Sequence, residues 1–159
     1  MHLFTASDVL KFAVRVEEDG ELFYHKAATF AESDDVRRLF NQLADEEIRH
    51  RRIFQNMLDE VGEYRPPESY PGEYMTYLRA FIDNRAVFTK KAKDQAGGIS
   101  DTLAALDFAI QRELDSVVYY QEAKQFVPQK HYKFIDSIIE EERKHFAVLS
   151  EIKQKYQSK

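Results

Sequence analysis

The sequence predicts an all-α fold: a four-helix bundle built from two helical hairpins, with a long crossover between helices 2 and 3. Three observations carry that prediction. Four long stretches place apolar residues at helical spacing, and none alternates over a strand's length. Prolines, tyrosines and a Gly-Gly pair collect between residues 62 and 100, in the middle of the chain. The first half of the pattern also returns in the second. Phe12-Ala13, Glu17, Asp19, Tyr24 and Ala27 recur 96 residues on (17 to 113) as Phe108-Ala109, Glu113, Asp115, Tyr120 and Ala123. Glu47 and His50 recur 95 residues on (47 to 142) as Glu142 and His145.

Composition sets the outer limits. At 159 residues the chain reads as one domain, 1–159, long enough to bury a core. A hydrophobic content of 43% beside 32% charged residues excludes a disordered chain. The net charge of -5 leaves no basic patch, so no nucleic-acid partner is expected. No stretch reaches the ~18 apolar residues of a bilayer span, so no membrane partner is expected. Without cysteine there is no disulfide, zinc knuckle, rubredoxin-type iron centre or thiol nucleophile. Residues 1–15 lack a basic segment followed by an apolar run, and a cytoplasmic location is expected.

The first helix spans about 8–31, capped by Thr5 or Ser7, with the stripe Leu10, Ala13, Glu17, Gly20, Tyr24, Ala27 and Ala31. Glu17 is on the inward face, and Glu18, about 100° further round, is solvated. The second helix spans about 34–61, with Ser33 as cap, Asp34 and Asp35 at its positive end, and Gly62 where it fades. Its stripe is Val36, Phe40, Leu43, Glu47, His50, Phe54, Met57 and Val61.

The segment 62–100 carries Pro66, Pro67, Pro71 and tyrosines 64, 70, 74 and 77, and is too long for a bundle turn. It reads as a crossover with a helical piece at about 72–94, long enough to let the third helix run parallel to the second. Its aromatic residues cover the side of the bundle or form a dimer face, and a homodimer is the expected assembly.

Ser100 or Asp101 caps the third helix, about 101–126, with the stripe Leu103, Leu106, Ile110, Glu113, Val117 and Tyr120. Val127-Pro128 breaks the chain. The fourth helix, about 129–156, has the stripe Ile135, Ile138, Glu142, His145, Leu149, Ile152 and Tyr156.

Glutamate and histidine thus interrupt stripes that are otherwise apolar or Tyr. A chain with 28 acidic residues and 5 histidines shows about one Glu/Asp-x-x-His by chance, so placement carries the information. Glu47 and His50, like Glu142 and His145, are one helical turn apart on an inward face. The hairpins also level these groups. Glu17 lies 16 residues before Ser33, with Glu47 and His50 14 and 17 after it. Glu113 lies 15 before Pro128, with Glu142 and His145 14 and 17 after it. Each hairpin supplies two glutamates and one histidine at one height.

Four carboxylates in a dry core must be protonated, paired with cations or bound to metal, because burying each bare ion costs several kcal/mol. Two divalent ions neutralise the four, and two neutral imidazoles complete the donor set. Oxygen-rich donors with one imidazole per metal suit iron or manganese better than structural zinc. A salt-linked network without metal is the alternative. It needs Lys or Arg, and none falls on the central layer of the stripes. His2, His25 and His131 lie off that layer and read as solvated. Of Glu140-Glu141-Glu142 only the last points inward, while Arg49, Arg51, Arg52, Arg143 and Lys144 are candidate pairing partners on the outer face.

One Glu on each of two helices with Glu-x-x-His on the other two resembles the ferritin-like di-iron carboxylate superfamily. A histidine in both motifs, and the run Glu17-x-x-Gly20-x-x-Phe23-Tyr24, make it similar to the rubrerythrin branch. The resemblance covers roughly 8–61 and 101–156 and implies two iron ions, with manganese a second option. It implies that Glu47 and Glu142 bridge the metals, with Glu17 and His50 completing one and Glu113 and His145 the other. Tyr24 and Tyr120 become hydrogen-bond donors to the ligands or oxidisable side chains. The implied activity is oxidation of Fe(II) or reduction of O2 or H2O2, fed by an external electron donor. A non-catalytic iron-binding, carrier or oxidant-sensing role, or a structural helical bundle without metal, is the alternative. Ser116 stands where rubrerythrins carry an extra glutamate. Ile48 stands where bacterioferritins carry a haem-binding methionine, so no haem is expected.

Overall fold

A computed structural model describes residues 5–62, 64, 73–85 and 90–159, without the side chains of 73–75 and 91–93. Helix α1 (Ala6–Phe30) starts with a capping box. Thr5 Oγ1 accepts from the Asp8 amide at 3.2 Å, and Asp8 accepts from the Thr5 amide at 2.9 Å. Two of the amides that a helix start leaves open are thereby satisfied. Every residue of the expected α1 stripe is buried, and Glu18 is exposed.

Helix α2 (Asp34–Val61) has the expected bounds, but Ser33 at its cap makes no side-chain hydrogen bond. Asp34 and Asp35 instead hold Arg37 and Arg38 at 2.8 and 2.5 Å, with their negative charge at the positive helix end. The whole α2 stripe is buried. Gly62 ends the helix at φ 52°, a left-handed conformation that favours glycine.

Among its described residues the crossover holds two helices, α3 (Glu73–Asn84) and α4 (Lys90–Gly98), in place of the one expected helical piece. Leu78 is buried, Tyr64, Phe81 and Ile82 pack on the core, and Tyr77 is half exposed. Arg85 ties the segment to the bundle with hydrogen bonds of 2.6 and 3.0 Å to Asp115. The prolines 66, 67 and 71, Tyr70, the side chain of Tyr74, and His2 lie outside the described residues.

Asp101 caps α5 (Thr102–Ala123), accepting from the Ala104 amide at 2.9 Å. Two 3-10 turns, Lys124–Phe126 and Gln129–His131, flank Pro128 and lead into α6 (Tyr132–Gln157). Here the expected extents of 101–126 and 129–156 are tightened helix ends, and two expectations are corrected. His131 is buried, because the 3-10 turn folds it inward, with Nε2 3.9 Å from Glu60. On α5, Leu103 and Ile110 are only half-buried, while Ala105, Ala109, Arg112, Asp115, Ser116 and Tyr119 are buried. The helix is covered by α1, α6 and the crossover, so it buries a wider face than one stripe.

Side-chain pairs fix the helix directions. Tyr24 donates to Glu113 and Tyr120 to Glu17, which sets α1 antiparallel to α5. Glu46 meets His145 and Glu141 meets His50, which sets α2 antiparallel to α6. Since each hairpin is antiparallel within itself, α2 and α5 run the same way, and the long crossover is what makes that possible. Two apolar clusters fill the interior. One contains Leu10, Phe54, Val117 and Ile135, the other Phe40, Leu43, Leu106 and Leu149. A polar layer separates them. Among the described residues no helix is long and apolar enough to cross a membrane.

Candidate metal centre

All six stripe residues meet in that layer. Glu17, Glu47, His50, Glu113, Glu142 and His145 are each buried, and one comes from α1, two from α2, one from α5 and two from α6. Potential donor atoms of Glu47, Glu113, Glu142 and His145 lie within 4.8 Å of one another, as do those of Glu17, His50 and Glu142. Glu142 belongs to both groups.

Both imidazoles point the same nitrogen inward. His50 Nδ1 is 2.8 Å from Glu142 Oε1 and 3.8 Å from Glu17 Oε2. His145 Nδ1 is 3.3 Å from Glu113 Oε2 and 3.8 Å from Glu142 Oε2. Each Nε2 faces outward to a carboxylate on the opposite hairpin: His50 to Glu141 at 2.9 Å, His145 to Glu46. Such a carboxylate fixes the ring's orientation and leaves the inner nitrogen as the donor. Arg49 pairs in turn with Glu141, Arg51 with Glu21 and Arg143 with Glu140, as outer-face partners. His25 is exposed.

Stripe analysis missed three of these groups. Glu46 and Glu141 are half-buried rather than solvated, and the signal was available, since each immediately precedes an inward glutamate and the two are related by the repeat. The third is Arg112, which overturns the expectation that no cation reaches the layer. It is buried, donating to Glu47 Oε2 at 2.7 Å and to the Val16 carbonyl at 3.0 Å, with its guanidinium over the Tyr24 ring. Its long side chain reaches sideways from α5 into a gap at Gly20. A Cβ there would stand 1.8 Å from Arg112 Nη2 and 2.7 Å from Glu47 Oε2. Glycine at 20 is what admits the guanidinium.

Tyr24 and Tyr120 are fully buried, and their hydroxyls donate to Glu113 Oε1 and Glu17 Oε1. Burial pushes both phenols well above the ordinary tyrosine range, with the neighbouring carboxylates adding to the effect. They are therefore neutral donors. Burial alone would lower both imidazoles, but the inward carboxylates raise each to about 11. Burial and the Glu142 charge raise Glu113 to about 7. Glu142 goes the other way, to about 2, because contacts with Glu113, His145 and His50 outweigh its burial. In the metal-free layer, imidazolium and guanidinium cations thus offset the carboxylates.

Pairing does not use up the donor atoms. Glu17 Oε2 and Glu47 Oε1 are buried and make no hydrogen bond, while His50 Nδ1 and Glu142 Oε1 form an ion pair at 2.8 Å. Orphaned atoms of this kind are rare in folded proteins, and these two lie on ligand candidates of the same layer. Carboxylate oxygens with two imidazole nitrogens form a donor set that fits a pair of iron or manganese ions.

Comparisons with known proteins agree with this geometry. The chain is similar to the solved structure of a ferritin-like diiron-carboxylate protein from Thermotoga maritima, at 29% identity over 97% of both chains with a TM-score of 0.67. No curated protein matches it. The rubrerythrin family model matches residues 8–153, which take in most of each of the four bundle helices and all six inward ligand candidates. The chain therefore belongs to the rubrerythrin family.

Proposed function

We propose that this protein is a non-haem di-iron oxidoreductase that oxidises Fe(II) or reduces O2 or H2O2, drawing electrons from an external donor. The observation that carries the reading is the convergence of four carboxylates and two inward Nδ1 atoms in one buried layer, with Glu17 Oε2 and Glu47 Oε1 left without partners. Glu17 and His50 would hold one ion, Glu113 and His145 the other, with Glu142 between them. When bound, the two irons supply electrons to the oxidant.

The chain's own residues set the conditions. Glu46 and Glu141 keep the imidazoles aimed inward. Tyr24 and Tyr120 donate to one oxygen each of Glu113 and Glu17, leaving the other free to bind metal. Apolar clusters on both sides of the layer limit water. The reading extends to a cytoplasmic homodimer, which light scattering on the purified protein checks.

A second reading, an iron carrier or oxidant sensor, is favoured by Arg112, since a fixed cation lets the layer persist without metal. Anaerobic Fe(II) loading, desalting and elemental analysis test both readings at once. Two irons per chain, followed by repeated turnover with O2 or H2O2 and a reductant, is the expected result. A single turnover supports the carrier or sensor. Failure to retain either Fe(II) or Mn(II) overturns both.

A further inference from the structure

The internal repeat relates the two hairpins, yet the two halves of the polar layer do not match. Under the repeat, Arg112 corresponds to Val16, and Gly20 corresponds to Ser116. One half therefore has a buried arginine facing a glycine gap. The other has a buried valine and a buried serine.

The two central glutamates respond differently. Glu142 stands with Oε1 2.8 Å from His50 and Oε2 3.8 Å from His145, one oxygen toward each half. Glu47, its counterpart, has Oε2 committed to Arg112 at 2.7 Å and only Oε1 without a partner. The donor groups are unequal as a result. Glu47, Glu113, Glu142 and His145 form a group of four, and Glu17, His50 and Glu142 a group of three.

We infer that Arg112 makes the layer load in order: the first ion enters at Glu47, Glu113, Glu142 and His145, and the second enters at Glu17, His50 and Glu142. The inference rests on the di-metal reading. The first position offers three carboxylates and one imidazole, the second two carboxylates and one imidazole. A second bridging contact from Glu47 requires its Oε2, which the guanidinium holds. Arg112 is thus a positioning residue acting through Glu47.

The test is anaerobic titration of the metal-free protein with Mn(II), reading free ion by its electron paramagnetic resonance signal. The wild type should bind two ions in separated steps, the second about tenfold or more weaker. His145→Ala should lose the tight step and His50→Ala the weak one. Arg112→Leu should draw the two steps together, toward the statistical ratio of identical independent positions. Arg112→Gln should do the same, because it removes the charge that holds Glu47 Oε2 while keeping a polar side chain, and it serves if Arg112→Leu folds poorly. Equal steps in the wild type, a splitting that survives both substitutions, or the reverse assignment of the two histidines would overturn the inference. A wild type that binds neither Mn(II) nor Fe(II) would instead overturn the di-metal reading beneath it.

Discussion

The two hairpins solve the same problem with the same residues and then part company beside the site. Helices α1 and α2 supply Glu17, Glu47 and His50, and α5 and α6 supply Glu113, Glu142 and His145, with Tyr24 and Tyr120 crossing between them symmetrically. The outward carboxylates obey the same relation, Glu141 on His50 and Glu46 on His145. Differences begin one position away from the ligands. Under the repeat Val16 and Ser116 stand where Arg112 and Gly20 do, and Arg112 is the one that enters a glycine gap. The donor set repeats because a pair of ions needs matched ligands. The flanking positions are free to differ, and they are where the two ions can be made unequal.

The largest expected effect separates the two central glutamates. Glu142 belongs to both donor groups, so Glu142→Ala should strip both ions from the desalted protein. Glu47→Ala leaves two carboxylates and one imidazole on each side, so it should retain more metal than Glu142→Ala, with the two steps no longer separated. Equal losses in the two variants, measured by elemental analysis, would show that the halves are equivalent after all.

Next come the outward carboxylates. Glu46→Gln and Glu141→Gln remove the charge that orients an imidazole, and each should weaken metal binding about 10- to 100-fold. The larger loss should fall on the tight step in Glu46→Gln, because its histidine, His145, is in the four-donor group. A titration showing the opposite order would break the comparison.

Protons provide a smaller but diagnostic signal. Both imidazoles have folded-state pKa values near 11, raised above the ordinary 6.5, so their pairing stabilises the metal-free protein fully below 6.5. That contribution is lost as pH rises toward 11. The metal-free melting temperature should therefore fall between pH 7 and 10, while metal affinity rises over the same range because each imidazole must release its proton. A metal-free protein whose melting temperature holds steady across that interval would show that the imidazoles are neutral in the layer.

How much of this was legible from sequence follows from geometry. The ligand candidates of α1, α2 and α6 interrupt clean stripes, and those stripes are buried nearly as read. Helix α5 is packed on more than one side, so one stripe described it badly, and Arg112 was missed next to Glu113, whose burial the stripe did read. A valine in one repeat opposite an arginine in the other was the available clue, together with a glycine on the α1 stripe where a helix gains nothing from it. Ser33 was a sound cap by residue type, but two aspartates paired with arginines already supply the charge at that helix end. Nothing in the spacing of His131 distinguished a turn that faces out from a 3-10 turn that folds in.

The smallest effects concern the tyrosines and probe the comparison most finely. Tyr24→Phe and Tyr120→Phe each remove the donor from a buried carboxylate oxygen, which should cost the metal-free protein ~1–3 kcal/mol in denaturant unfolding, to a similar extent in both halves. Tyr119 has no such twin, since the repeat places Phe23 opposite it. The ring contacts are nonetheless alike: Phe12 with Tyr119 at 4.9 Å and Phe108 with Phe23 at 4.7 Å between centroids. Only the hydroxyl differs, and it donates at 2.8 Å to the Val9 carbonyl, an acceptor that the α1 backbone ladder also uses. Tyr119→Phe therefore orphans no buried acceptor and should cost only about 0.5–1.5 kcal/mol, with both metal-binding steps unchanged. A shift in either step would mean that the asymmetry reaching the ions extends beyond Arg112 and Gly20.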